Sequence, residues 1–386
     1  MTPRADSPER RVLFVFGWLV VGGEETEVRH LARHVGAGWR LDVVACFRKP
    51  GMPEQTHGQL AALGVDVDTT PYGLSFDDTV AYLADKVPGY DLVVACQAVP
   101  DIVPALDRIA ARGGAPPPLV EHGGLVEEAT RAPKHHTARY VGVCGTIRDA
   151  AARAMPERPG DARLIPSMVD LDEFAGDRAA TRRDVRAELE IPAEAPLIGW
   201  VGRLDRKKRV EDVVRAFALL APEHPSARLA VIGGPDAFMP EYAGELRALA
   251  GRLGVADRIV WTGDRPDVPR LLAALDVFVW LSRGEGMPHV IAEAGAAGLP
   301  VVATPDNGVL EQIVDGESGL FVPHQDPPAV AAALGRLLGD AGLRGRLGGA
   351  LRRTVEREFA VPVVVRQWRA LFEDVLAERE RQPGAP

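Results

Sequence analysis

The chain has 386 residues and a formal net charge of −9, and its 46% apolar and 26% charged residues give a globular composition long enough for two domains. That excludes a small scaffold stapled by disulfides, and the acidic balance argues against a general nucleic-acid-binding surface.

In the first half the predicted strands are 12–16, 41–47, 91–97, 119–121, 140–144 and 163–165. The first follows Arg10-Arg11, a basic pair ahead of an apolar stretch, as at the start of a secretory leader. No small-residue cleavage site follows; the run passes into Gly22-Gly23 and the acids Glu24, Glu25 and Glu27, so it reads as a buried strand and a glycine turn. It is also too short to span a bilayer. Cys46, Cys96 and Cys144 each close an apolar run, and an odd, dispersed set is no disulfide framework. Buried thiols and a reducing, cytoplasmic setting are expected.

In the second half the predicted strands are 197–201, 228–232, 258–262, 277–281, 300–304 and 319–322. Most are continuous apolar runs, the pattern of parallel strands covered on both faces. The segments between them have helical spacing, as in Val210, Val213, Val214, Phe217 and Leu220. Two sets of strand–helix repeats predict an α/β fold of two facing Rossmann-like domains with a cleft between them. The expected division is 1–175 and 176–360, with the break in the charge-rich stretch 170–195. A final helix from Val361 to about Glu380, carrying Trp368, Leu371 and Phe372, and a tail ending RQPGAP complete 361–386.

Ligands of open parallel sheets bind beyond the carboxyl ends of the strands, against helix N-termini, so residues directly after strands are the candidates. Gly202-Arg203 through Lys208 follows one strand; Gly202 permits a sharp turn, and Arg203 and Lys208 suit phosphate oxygens. Ser282 to Glu293 follows another and opens a helix near Pro288, with Gly284 and Gly286 allowing close backbone approach. Its carboxylates Glu285 and Glu293 suit sugar or ribose hydroxyls. Gly22-Gly23 follows the first strand, and His122 precedes Gly123-Gly124 at the end of another. His135 and His136 receive no role. The D-x-D pairs Asp66/Asp68 and Asp170/Asp172 are read as structural, and no metal is expected.

These pieces together resemble the GT-B retaining glycosyltransferases of family 4, which share the glycosyl-transferases group 1 domain. The resemblance rests on Gly202-Arg203 with Lys208, on the E-x7-E pair Glu285/Glu293, on Ala294–Ala303, and on Asp315-Gly316 through Gly319 to Pro323. Leu164 to Phe174 is similar to the family's connection between domains. The match is strongest from about 160 to 340. It implies a transferase that moves a sugar from a nucleotide diphosphate sugar, UDP on base rate, to an acceptor hydroxyl; the N-terminal half is not conspicuously basic, so a soluble or loosely peripheral enzyme is expected. No cofactor, metal or nucleic acid is implied, and the acceptor is left open. On this resemblance Arg203 and Lys208, with Gly22 and Gly23, would meet the donor diphosphate. Glu285, Gly286, Met287, His289, Val290 and Glu293 would meet its sugar and ribose, and Glu285 and His122 would be catalytic. Met287-Pro288 replaces the family's common aromatic, and Glu24 replaces a typical small residue. The alternatives are a non-catalytic nucleotide-sugar-binding relative and a nucleotide-sugar epimerase of similar architecture.

Overall fold

The computed structural model describes residues 9–131 and 133–381, so the tail beyond Arg381 lies outside it. Two compact units emerge: one runs to Ser167 and resumes at Val361, and the other spans Met168–Ala360.

The first unit holds β1 (Arg10–Trp18), β2 (Trp39–Phe47), β3 (Val67–Asp68), β4 (Leu92–Cys96), β5 (Leu119–Gly123), β6 (Thr137–Gly142) and β7 (Ala162–Leu164). They form one sheet in the order β3-β2-β1-β4-β5-β6-β7, with every pair parallel. Strand β3 was not expected. It is only two residues of Asp66-Val67-Asp68, too short for periodicity to register. The second unit holds β8 (Leu197–Val201), β9 (Arg228–Ile232), β10 (Ile259–Gly263), β11 (Val277–Trp280), β12 (Val301–Ala303) and β13 (Leu320–Phe321). Their order is β10-β9-β8-β11-β12-β13, again all parallel. Strands β4 and β8 are buried along their whole length, which is why the sequence shows runs rather than alternation. Helix Val210–Leu220 buries Val210, Val213, Val214, Phe217 and Leu220 against the second sheet, as its spacing predicts.

The charge-rich stretch expected to hold the domain break is instead a packed helix, Arg178–Glu188, inside the second unit. Asp177 caps it, accepting from the Ala179 and Ala180 amides. Arg182 and Arg186 reach Asp276 at 2.7 and 2.9 Å, and Arg186 also donates to the carbonyls of Ala274, Pro192, Ala193 and Ala195. Arginine here serves as a buried bracket for carbonyl groups, a use that composition cannot tell from a solvated linker. The second unit's ends lie side by side, Val169 bridging Ala360 with its amide donating to the Phe359 carbonyl at 2.8 Å.

The final helix, Val361–Arg381, belongs to the first unit and buries Val364, Val365, Trp368, Leu371, Phe372 and Leu376. Arg139 fixes its far end through Asp374 and Glu378, at 2.9 and 2.7 Å. The three cysteines are free and buried. Among the described residues, no helix is long and apolar enough to cross a membrane.

Trp368 is fully buried, donates its indole N–H to Glu27 at 2.8 Å, and packs against Phe372. Trp368→Ala removes that volume and leaves a buried carboxylate without its donor. We expect a loss of about 3–5 kcal/mol in the first unit's urea unfolding transition.

Candidate functional site

In the second sheet the strand order reverses between β8 and β11, so the loops after these neighbours leave to opposite sides and frame a crevice. The loop after β8 begins at Gly202, whose φ of 154° favours glycine and where a Cβ would press on Trp200 and Trp280. Those two indoles are stacked, with centroids 6.0 Å apart. Asp205 closes the following turn by accepting from the Lys207 amide at 2.7 Å. Arg203 donates to Asp236 at 2.8 Å, which orients the guanidinium while 38% of the Arg203 side chain stays exposed. Lys208 pairs with Glu285 at 2.7 Å and lies 5.0 Å from the centre of the Trp280 ring.

The loop after β11 is held from two sides. Ser282 Oγ and the Arg283 amide both donate to the Lys207 carbonyl, at 3.2 and 3.1 Å, tying this loop to the one after β8. From the other side Asp306 accepts the Gly284 and Glu285 amides, Asn307 donates to the Glu285 carbonyl at 2.8 Å, and the Gly308 amide donates to the Gly286 carbonyl at 2.7 Å. Of the two glycines expected to offer their amides to a ligand, Gly284 therefore already carries an internal carboxylate. Burial alone would raise the Glu285 pKa; the Lys208 charge and the Lys208 hydrogen bond outweigh it and hold the carboxyl below its usual range.

Helix His289–Ala296 opens at Pro288. Gln312 donates to the Pro288 carbonyl at 3.0 Å, and the His289 ring lies 3.1 Å from the Met168 carbonyl. Met287 is buried, and His289, Val290 and Glu293 are half-buried on this helix. The structure thus brings Arg203, Lys208 and Glu285 onto two loops tied to each other. It adds Asp236, Asp306 and Asn307, which the sequence reading missed. All three follow β9 or β12 closely, so the same rule of looking just past strands would have found them.

In the first unit Gly22 caps helix Gly23–His34, whose opening turn carries Glu24 and Glu25. Glu25 accepts from the Val20 amide at 3.1 Å, and its other oxygen stands 2.6 Å from where a Gly22 Cβ would be. Glu24 is 8% exposed, and among the described residues neither of its oxygens has a well-formed hydrogen bond, the Gln97 side chain offering only a loose contact. Burial, then the charges of Glu128 and Glu25, push its pKa well up. His122 is buried at the end of β5, with Nδ1 4.0 Å from Cys96 Sγ and its ring edge-on to Trp368.

Both D-x-D pairs are engaged locally. Asp68 binds Lys86 at 2.8 Å, the Tyr82 hydroxyl and the Thr70 amide, and Asp170 accepts from the Asp172 amide at 3.1 Å.

Two all-parallel Rossmann-like sheets with cationic and acidic residues at the second sheet's reversal point define the class of GT-B glycosyltransferase-like proteins. Solved structures with the same fold include Anabaena Alr3699/HepE in complex with UDP and glucose, at a TM-score of 0.81 and 20% identity, covering 95% of this chain and all of that one. Another is sucrose-phosphate synthase from Thermosynechococcus elongatus, at a TM-score of 0.72 and 21% identity over 96% of this chain and all of that one. The family model for glycosyl transferases group 1 matches residues 181–354. A D-inositol 3-phosphate glycosyltransferase of Streptomyces avermitilis is 30% identical over 347 residues, 84% of this chain and 70% of that protein. The chain belongs to the glycosyl transferases group 1 family. A D-inositol 3-phosphate glycosyltransferase of Acidothermus cellulolyticus is 35% identical over 229 residues, 57% of this chain and 50% of that protein. The chain thus spans about half the length of several of the curated relatives it matches.

Glu285 and Glu24 have opposite linkage to pH. Glu285, held low, contributes stability that is complete above the ordinary glutamate pKa and lost as pH falls through its lowered value. Glu24, held high, costs nothing below the ordinary glutamate pKa, and its cost builds as pH rises from there to its raised value. In thermal unfolding from about pH 4 to about pH 8, Lys208→Met should lower Tm most at the neutral end. Glu24→Gln should raise Tm at the neutral end and change little at the acid end.

Gly308 is the second expected weak point, because a Cβ there would overlap the Gly286 carbonyl and crowd Met287. Gly308→Ala should displace the Gly286–Met287 turn, read as faster amide hydrogen exchange from Gly284 to Val290.

Proposed function

We propose that the chain is a retaining glycosyltransferase that moves a sugar from a nucleotide diphosphate sugar to an acceptor hydroxyl, without a metal. The observation that carries this reading is the pair of cations at the strand-order reversal, Arg203 oriented by Asp236 and Lys208 by Glu285. A departing diphosphate needs fixed positive charge where its own charge develops, and two pre-oriented cations supply it without reorganisation. Arg203 is the planar, multidentate contact and Lys208 the point charge. Phosphate arriving at Lys208 weakens its pairing with Glu285 and frees that carboxylate to accept from a hydroxyl of the donor sugar. Gly286, Met287, His289 and Val290 line the sugar and ribose around the helix opening, and Glu293 accepts from the ribose hydroxyls.

The acceptor oxygen attacks on the face that the diphosphate leaves, its proton passes to the departing phosphate oxygen, and the configuration is kept with no covalent enzyme intermediate. His122 is the residue of the first unit that meets the transferred sugar. We draw the phosphate contacts from Arg203 and Lys208 rather than from Gly22 and Gly23, because Glu25 stands against Gly22 and a second carboxylate follows Gly23. UDP is the favoured nucleotide, supported by its presence in the solved relatives. Inositol 3-phosphate is not carried over as the acceptor.

A thermal-shift series with UDP, GDP, ADP and TDP tests the donor site, since a ligand of the folded state raises Tm. UDP should give the largest rise, and no rise with any of the four overturns the reading. Arg203→Ala and Lys208→Ala should each lower kcat/KM for nucleotide release by about 100-fold or more. Turnover should be unchanged by a chelator of divalent ions.

A further inference from the structure

The carboxyl end of the first sheet holds an acidic recess beside His122 whose carboxylates take no part in the donor chemistry. It is lined by Gln97, Glu121, His122, Glu128, Arg131 and Tyr140. Glu128 accepts the Gly124 and Leu125 amides at 2.9 and 3.1 Å. Glu24 reaches the same spot from the other side, its Oε1 3.4 Å from where a Gly124 Cβ would stand. Two carboxylates thus share one glycine, with Glu25 and Glu27 on the turn behind Glu24.

Hydrogen-bonding capacity at this spot is left over. Among the described residues, both Glu24 oxygens and the Tyr140 hydroxyl are buried without a hydrogen-bond partner. Tyr140 is fully buried, lines the recess and presses on Gly123, the neighbour of Gly124. A buried carboxylate with only the loose Gln97 contact is a costly arrangement, and it calls for a ligand that brings donors and positive charge. The cations nearby do not supply them: Lys134 is committed to Glu121, and Arg131 is exposed at the mouth.

We infer that Glu24, Glu128 and the Tyr140 hydroxyl form a subsite for a protonated amino group on the acceptor, which is therefore an amine-bearing sugar or polyol. This rests on the transferase reading above. An ammonium brings three donors, matching the Glu24 oxygens and the Tyr140 hydroxyl, and its charge is balanced by the carboxylates. A phosphorylated acceptor placed here meets two carboxylates and is repelled. The replacement of a small residue by Glu24, inconvenient for a phosphate-binding turn, is then a specificity device: it rewards one acceptor charge and penalises the other.

The test compares glucosamine, glucose and glucose 6-phosphate as ligands of the 386-residue chain by calorimetry in the presence of UDP. Glucosamine should bind at least about tenfold more tightly than glucose, with glucose 6-phosphate weakest. Glu24→Gln and Glu128→Gln should each abolish the glucosamine preference. Glu24→Gln should at the same time raise Tm, which a purely structural carboxylate would not do on losing its charge. Glu128 also holds two backbone amides, so if Glu128→Gln does not fold, Glu24→Gln alone decides. The inference is overturned if glucosamine shows no preference, if glucose 6-phosphate binds best, or if the preference survives Glu24→Gln. The UDP thermal shift in the same samples separates the two readings. UDP binding without a glucosamine preference removes the subsite and leaves the transferase. A glucosamine preference with no nucleotide shift and no transfer removes the transferase reading.

Discussion

Strands β8 and β11 lie side by side, yet the chain reaches them from opposite flanks of the sheet. That reversal is the constraint from which the candidate site follows. Two loops that leave adjacent strands in opposite directions cannot cover the gap between them, so the sheet's carboxyl edge stays open there. What closes the floor is the stacked pair Trp200 and Trp280, one from each strand. What fixes the loops is a short set of ties: Ser282 and Arg283 to the Lys207 carbonyl, and Asp306 and Asn307 to the Glu285 segment. Lys208 and Glu285 then meet across the gap because the backbones beneath them are already fixed. The ion pair reports that geometry more than it creates it.

Much of the fold was legible because the sheets are parallel and covered on both faces, which writes strands as unbroken apolar runs. Strand β9 fell at its expected ends, and helix Val210–Leu220 buried the face its spacing predicted. Three features escaped for physical reasons. Strand β3 is too short to show a period. Helix Arg178–Glu188 reads as a solvated linker because Arg186 is buried and Arg182 half-buried by pairing with Asp276 and with carbonyl groups, which composition does not show. The supporting acids Asp236 and Asp306 carry no motif; position just past a strand marks them as candidates, and the loops that they hold show what they do.

Net charge misleads in both directions. A chain at −9 carries Arg203 and Lys208 where an anion is proposed to bind, and a few of its acids lie in interior positions. Asp236, Glu24 and Glu27 are all buried, each in a different electrostatic state. Asp236 is neutralised by an arginine, Glu27 receives an indole N–H, and Glu24 stands in a group of like charges. Position within the sheet, more than composition, sets what each carboxyl can do.

The bridge between Val169 and Ala360 gives the second unit neighbouring ends, while the first unit is assembled from both extremities of the chain. During synthesis the second unit is therefore complete while the first still lacks its last helix. Until Val361–Arg381 leaves the ribosome, Glu27 has no indole, Arg139 lacks Asp374 and Glu378, and the faces that pack on Trp368 and Phe372 stand bare. The second unit can therefore be complete before the first, although its chain is made later. The part of the protein made first is the part that must wait, and a chain truncated by a few turns would lose contacts of a unit built mostly from the other end of the sequence.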